Sequence, residues 1–169
     1  MIQSDPSPAP RLIAAGMTAP GFTLPRADGE AVTLSALRPD RVVLFFYPKD
    51  STPGCTDEAT GFSARQGDFA AEGVRVIGVS RDTLASHRKF IAKYDIKVPL
   101  LSDESGETCE NYGVWQEKQM MGRRFMGIVR TTVLIGGDGL VQRVWSPVKV
   151  RGHVDEVLAA VREQRLPKM

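Results

Sequence analysis

Residues 41–48, Arg-Val-Val-Leu-Phe-Phe-Tyr-Pro, make an unbroken run of β-branched, aliphatic and aromatic side chains closed by a proline. A run of this length reads as a strand, and without polar alternation it has to be covered on both faces. Val74–Ser80, "VRVIGVS", is a second buried strand. Between the two, residues 55–72 carry Phe62 and Phe69 one helical heptad apart, with Ala59 and Gln66 in the spacing, and Gly73 stands where a helix cap belongs. After the second strand, Asp82 is placed to cap a helix in which Leu84, His87 or Arg88, Ile91 and Tyr94 follow a 3.6-residue period. Strands that alternate with helices are joined by crossovers and lie parallel, so the chain is α/β.

The flanking segments add to this unit. "FTLPRADGEAVTLSAL" has two short strand-like pieces about Ala27-Asp28-Gly29 and a Ser35 suited to start a helical turn, which predicts an N-terminal hairpin. "VPLLSD" is a short strand leading into a brief helix, Glu104 to Tyr112, stopped by Gly113. "RTTVLIGGDGLVQRVWSPV" carries the strongest hairpin signal, two strands about Gly-Gly-Asp-Gly. A helix from His153 to Gln164 follows, with Val154, Val157, Leu158 and Val161 as its apolar stripe. This order predicts a thioredoxin-like fold, a central mixed sheet flanked by helices with an N-terminal hairpin extension. One domain is expected over residues 16–169, behind a flexible Pro/Ser-rich tail at 1–15.

Composition narrows the classes of function. The 169 residues are 42% hydrophobic and 25% charged, enough to bury a full core. The net charge is +2 with basic and acidic residues interspersed, so no nucleic-acid or membrane partner is expected. No apolar run approaches the roughly 18 residues of a membrane-spanning helix. "MIQSDPSPAPR" lacks the basic and apolar regions of a secretory signal, which makes the cytoplasm the expected compartment. Two cysteines, Cys55 and Cys109, are too few for a disulfide framework, and two distant histidines give no zinc spacing, so no metal is expected.

Cys55 lies seven residues beyond Pro48, at the first turn of the helix that follows the central strand. Functional groups in open α/β sheets gather at the carboxyl ends of strands. A helix N-terminus presents unpaired N–H groups and partial positive charge, which favour a thiolate, the nucleophilic form. The alternative is a small residue packed beneath a loop. Thr52 stands three residues earlier, where a dithiol oxidoreductase would carry the other cysteine of a Cys-x-x-Cys pair. A hydroxyl cannot form a disulfide, although it can hydrogen-bond a substrate oxygen or cap the helix.

Pro48, Thr52 and Cys55 match the Pro-x-x-x-Thr/Ser-x-x-Cys motif, and "FYPKDSTPGCTDEA" strongly resembles the peroxiredoxins, in the branch called peroxiredoxin Q or bacterioferritin comigratory protein. "APGFTLP", "VIGVSRD", "SHRKFIAKY", "PLLSD", "YGVW" and "GIVRTTVLI" extend the resemblance in order along the chain, from about Pro20 through Leu158. It implies a thiol-dependent peroxidase, a thioredoxin-dependent antioxidant enzyme that reduces hydrogen peroxide and organic hydroperoxides without a cofactor. Cys55 is then the peroxidatic cysteine, and Pro48 shields it. Thr52, the Gly54 and Cys55 N–H groups and Arg130 stabilise the departing oxygen, and Gly54 lets the backbone approach the substrate. Glu58 matches the same pattern and either holds Arg130 or favours the helix start.

Attack leaves a sulfenic acid that a thiol must resolve. Many members of this branch carry the resolving cysteine five residues on, where this chain has Thr60. Cys109 is the remaining candidate: a resolving thiol, a buried residue on its short helix, or an intermolecular partner. Without it, thioredoxin, glutaredoxin or a small thiol closes a one-cysteine cycle. The resemblance favours a monomer over a stable dimer. "EKQMMGRRFMG", 117–127, is expected to be a mobile surface loop, with a wall of the pocket or a contact for a reductant as the alternatives, Trp115 and Trp145 packing residues, and His87 no partner to Cys55. The rival readings are a thiol-disulfide oxidoreductase of this fold, and a redox sensor or holdase using the same cysteine.

Overall fold

Side chains alternate across a strand, so the apolar run at Arg41–Phe46 (β3) feeds two cores at once. Val43, Phe45 and Tyr47 enter one; Val42, Leu44 and Phe46 enter the other. This computed structural model, which describes residues 11–164, sets β3 at the centre of a five-stranded sheet. Val74–Ser80 (β4) lies parallel to it, and Leu100–Ser102 (β5) parallel to β4. Thr131–Ile135 (β8) runs antiparallel on the other side of β3, with Val141–Trp145 (β9) outermost. The order β5-β4-β3-β8-β9 is the mixed thioredoxin-like sheet expected.

Helices Pro53–Ala64 (α1), Gln66–Ala71 (α2), Leu84–Tyr94 (α3) and His153–Gln164 (α5) send Phe62, Phe69, Phe90, Val157 and Val161 into the first core. Glu107–Asn111 (α4) covers the opposite face together with Ile13, Ala19 and Phe22 from the front of the chain. The N-terminal hairpin is Thr23–Pro25 (β1) against Ala31–Thr33 (β2), followed by a 3-10 turn at Leu34–Leu37.

Four expectations change. Residues 1–10 of the expected tail lie outside the described residues, but Ile13 is buried and its amide donates to Tyr112 O at 3.0 Å, so packing begins before residue 16. The helix expected over 55–72 is two helices, because Arg65 leaves helical geometry at φ −103°, ψ 6°, and the Phe69 ring packs at a tilt 5.8 Å from Phe62. Asp82 does not cap α3. Thr83 Oγ1 accepts from Ser86 N instead, while Asp82 Oδ2 accepts from Asp50 N and Ser80 Oγ. Segment 117–127 is not a loop but most of a second hairpin, Trp115–Met120 (β6) paired in register with Arg123–Ile128 (β7). Gly73 caps as expected, at φ 70°, a conformation glycine adopts without steric cost. Among the described residues no helix is long and apolar enough to cross a membrane.

Candidate active site

The register of the sheet brings the separated residues together. Phe46 pairs with Thr131 at the carboxyl end of β3, so the next position along sets Arg130 beside Tyr47, just before Pro48. The chain then crosses Lys49–Ser51, with Ser51 in the left-handed region at φ 65°, and enters α1 with Thr52 at the N-cap and Pro53 in the first turn. Proline at the start of a helix sacrifices no hydrogen bond. The first bond of the helix is Thr56 N to Thr52 O, so the Gly54 and Cys55 N–H groups stand at the open end.

Cys55 is 1% exposed, with its sulfur turned toward Arg130. Arg130 Nη2 donates to Cys55 Sγ at 3.3 Å, and Nη1 donates to Glu58 Oε1 at 2.8 Å. Glu58 lies one helical turn after Cys55 and is fully buried, so one face of α1 presents both the thiol and the carboxyl that anchors the guanidinium beside it. Burial pushes Glu58 up to about 7 against the pull of the Arg130 charge and hydrogen bond. Burial also opposes the charge of Arg130, but Glu58 and Cys55 more than offset it and hold the guanidinium charged. A Cβ on Gly54 would lie 3.0 Å from Arg130 Nη2, so any side chain there would push the guanidinium by a few tenths of an ångström. Gly54 thus sits against Arg130 as well as against a substrate.

Thr52 occupies the N-cap, yet its hydroxyl donates to Lys49 O at 2.8 Å and makes no side-chain cap. Its proton is thereby committed to the loop, and its oxygen keeps its acceptor capacity. Pro48 is half-buried directly after the strand. Cys109 is elsewhere. It is fully buried in the core on the far side of the sheet from Cys55, its amide donates to Asp103 Oδ2 at 2.8 Å, and burial followed by Asp103 pushes its thiol well up.

A buried polar network supports the loop before Cys55. Asp50 accepts from Tyr47 Oη at 2.7 Å and Ser86 Oγ at 2.8 Å, and its Oδ2 lies 2.7 Å from His87 Nδ1. His87 Nε2 faces Leu101 O at 3.0 Å, an acceptor only, so it carries a proton, and a second is shared with Asp50. Asp50, Asp82 and His87 are of metal-ligand type and close together, but their atoms are already engaged with one another and with Tyr47, Ser80 and Ser86. His87 thus acts on the loop rather than on Cys55. Sequence reasoning missed Asp50 and also Lys118, whose ammonium donates to Ile128 O at 3.0 Å near Arg130 and Cys55. Gly122, a turn residue between two segments of strand length, was the available signal for the strand that carries Lys118.

The Glu58 environment gives a pH dependence. A carboxyl that binds its proton more tightly folded than unfolded contributes stability below its ordinary value near 4.5 and loses it as pH rises toward about 7. Glu58→Gln keeps an acceptor for Arg130 and removes that titration. In urea unfolding at pH 5 and pH 8, the variant should gain roughly 2 kcal/mol on wild type over this interval. A stability difference that does not change between the two pH values would refute the assignment.

Comparison with known proteins agrees with this geometry. Residues 15–144 match the AhpC/TSA family model. The putative peroxiredoxin bcp of Coxiella burnetii is 46% identical over 146 residues, 86% of this chain and 97% of that protein. Peroxiredoxin Bcp of Xanthomonas campestris is 43% identical over 83% of this chain and 89% of its own length. Among solved structures, the X. campestris bacterioferritin comigratory protein, studied for alkyl peroxide reduction, superposes with a TM-score of 0.83 at 39% identity, covering 92% of this chain and 98% of that one. A cysteine mutant of Xylella fastidiosa PrxQ gives 0.86 at 34% identity, covering 92% and 99%. With the motif, the fold and the Cys55–Arg130–Glu58 contact all in agreement, the chain belongs to the AhpC/TSA family and, within it, to the Bcp (PrxQ) peroxiredoxins.

Proposed function

We propose that the chain reduces hydrogen peroxide and organic hydroperoxides with Cys55 as its one redox-active thiol, and that an external thiol closes the cycle. The observation that carries the chemistry is the 3.3 Å contact from Arg130 Nη2 to Cys55 Sγ, held by Glu58. The guanidinium has five N–H donors in a rigid fork, and these two contacts use two of them. The thiolate attacks one peroxide oxygen, the S–O bond forms as the O–O bond breaks, and the departing oxygen leaves as water or alcohol after taking a proton. Arg130 and the Gly54 and Cys55 amides are oriented in advance toward the charge that develops on that oxygen. The Thr52 oxygen, its own proton donated to Lys49 O, is suited to accept a hydrogen bond from a bound hydroperoxide.

The one-cysteine reading is supported by the sheet itself. Cys55 and Cys109 sit in cores on opposite faces of it. A disulfide needs Cα atoms within about 7 Å, so their pairing would require local unfolding of α1 or α4. An incoming thiol instead attacks the sulfenic sulfur, forming S–S and releasing water. A second thiol then frees Cys55 as a thiolate. Thioredoxin, glutaredoxin and small thiols all meet this requirement, the reducing cytoplasm supplies them, and a monomer suffices.

Intact mass after one equivalent of hydrogen peroxide tests this reading. Wild type and Cys109→Ser should each gain one oxygen, and both should turn over with added thiol. Loss of two hydrogens in wild type alone would establish Cys109 as the resolving residue and overturn the one-cysteine cycle.

A further inference from the structure

The β6–β7 hairpin forms a two-stranded sheet of its own, apart from the central one. Among the described residues six large hydrophobic side chains are exposed, and four of them, Met120, Met121, Phe125 and Met126, belong to this hairpin. Met121 is 97% exposed at the tip, where it and Gly122 both have positive φ, 52° and 78°, as the mirror-image hairpin turn requires. Clustered exposed apolar side chains on a soluble domain mark a surface that another molecule covers.

The register shows which way this surface faces. Lys118 pairs with Phe125 and Met120 with Arg123, so these four side chains share one face, whereas Met126, paired with Glu117, lies on the other. A Cβ on Gly127, on that same face, would meet Lys118 Cδ at 3.1 Å and Phe125 Cε2 at 3.4 Å, so the lysine stem and the ring close over the glycine. The Lys118 ammonium bonds Ile128 O, two residues before Arg130, and lies within electrostatic range of both Arg130 and Cys55. The face therefore borders the approach to the sulfur.

We propose that this face of the hairpin is the docking surface for a protein dithiol reductant whose contact surface is apolar and edged with carboxylates. The proposal rests on the one-cysteine cycle, in which another molecule's thiol must reach a sulfur only 1% exposed. Methionine is adaptable enough to pack against a partner that docks briefly and leaves. The charge balance of the hairpin supplies the other half of the match. On this face Lys118 and Arg123 are both basic and no carboxylate of the hairpin stands beside them, which steers an acidic partner and disfavours a second copy of the same basic face. The partner's first thiol attacks the sulfenic sulfur of Cys55, S–S forms and S–O breaks with loss of water. Its second thiol then attacks the mixed disulfide, leaving the partner oxidised and Cys55 a thiolate.

The test separates the two half-reactions by stopped flow. Wild type, Met120→Ser with Phe125→Ser, and Arg123→Glu are each oxidised with one equivalent of cumene hydroperoxide. Each is then mixed with a bacterial thioredoxin, a bacterial glutaredoxin or dithiothreitol. Both variants should lose about tenfold or more of the rate with the protein reductant that serves wild type. Their rates with peroxide and dithiothreitol should stay within about twofold of wild type. Unchanged protein-reductant rates, or an equal loss with dithiothreitol, would overturn the proposal. So would a wild-type dimer that the variants convert to monomer with no loss of protein-reductant rate, which would make a second copy the occupant. Reduction by dithiothreitol but by neither protein rejects the docking surface and leaves the one-cysteine cycle standing. A wild type that peroxide does not oxidise rejects the peroxidase reading itself.

Discussion

Cys55→Ser is expected to end peroxide turnover while the protein stays folded. A serine hydroxyl does not ionise near neutral pH and oxygen is a poor nucleophile toward a peroxide, so the loss should reach at least about 10⁴-fold, to background. The substitution is nearly isosteric, and the hydroxyl oxygen can still accept from the Arg130 Nη2 that now meets Sγ at 3.3 Å. Exchanging a small apolar thiol for a hydroxyl at a site 1% exposed should cost roughly 1–2 kcal/mol of stability. Thiol-dependent peroxide consumption and urea unfolding, measured on the same preparation, check both halves. A folded serine variant with even a hundredth of wild-type turnover would remove Cys55 from the centre of the mechanism.

Arg130→Ala should slow the oxidation of Cys55 by about 10²–10³-fold, the usual effect of losing an oriented donor aimed at developing charge. The variant carries a second consequence. Glu58 Oε2 already has no hydrogen-bond partner among the described residues, and without Arg130 the other oxygen loses its partner too. Leaving an unpaired group that deeply buried costs about 3–5 kcal/mol if it is ionised, and burial would push the carboxyl still further up. Catalysis and stability are separated by a second variant, Arg130→Ala with Glu58→Gln, in which no buried charge is stranded. It should recover much of the stability and none of the rate. Recovery of the rate would show that Arg130 serves the fold alone, and wild-type oxidation rates in Arg130→Ala would exclude it from the site.

The sheet was legible because its central strands are written in unbroken apolar runs, and α5 because its apolar stripe keeps a helical period from His153 to Gln164. The β6–β7 hairpin was not. Its strands bury little, so selection for an apolar face leaves no alternation of the usual kind, and Met and Phe stand where polar residues would be expected. The break at Arg65 and the displacement of Asp82 from its expected capping role are tertiary overrides. Asp82 has better partners in Asp50 N and Ser80 Oγ than in the helix it precedes. His87 offered no sequence signal of its role, since Asp50 lies 37 residues away and only the fold brings them within 2.7 Å.

By itself the sequence determined that the chain folds as α/β, that a lone thiol stands at a strand-to-helix junction with a hydroxyl three residues before it, and which motif those residues spell. These are local facts, set by side-chain periodicity and by the geometry of a helix start, and they need no contact between distant residues. Tertiary structure alone decided that Arg130, 75 residues from Cys55, donates to its sulfur, that Gly54 packs against that guanidinium, and that Cys109 lies across the sheet from the site. The physical reason is strand register. Side chains alternate between faces, so one residue of offset in the pairing of β3 with β8 would carry Arg130 to the opposite core.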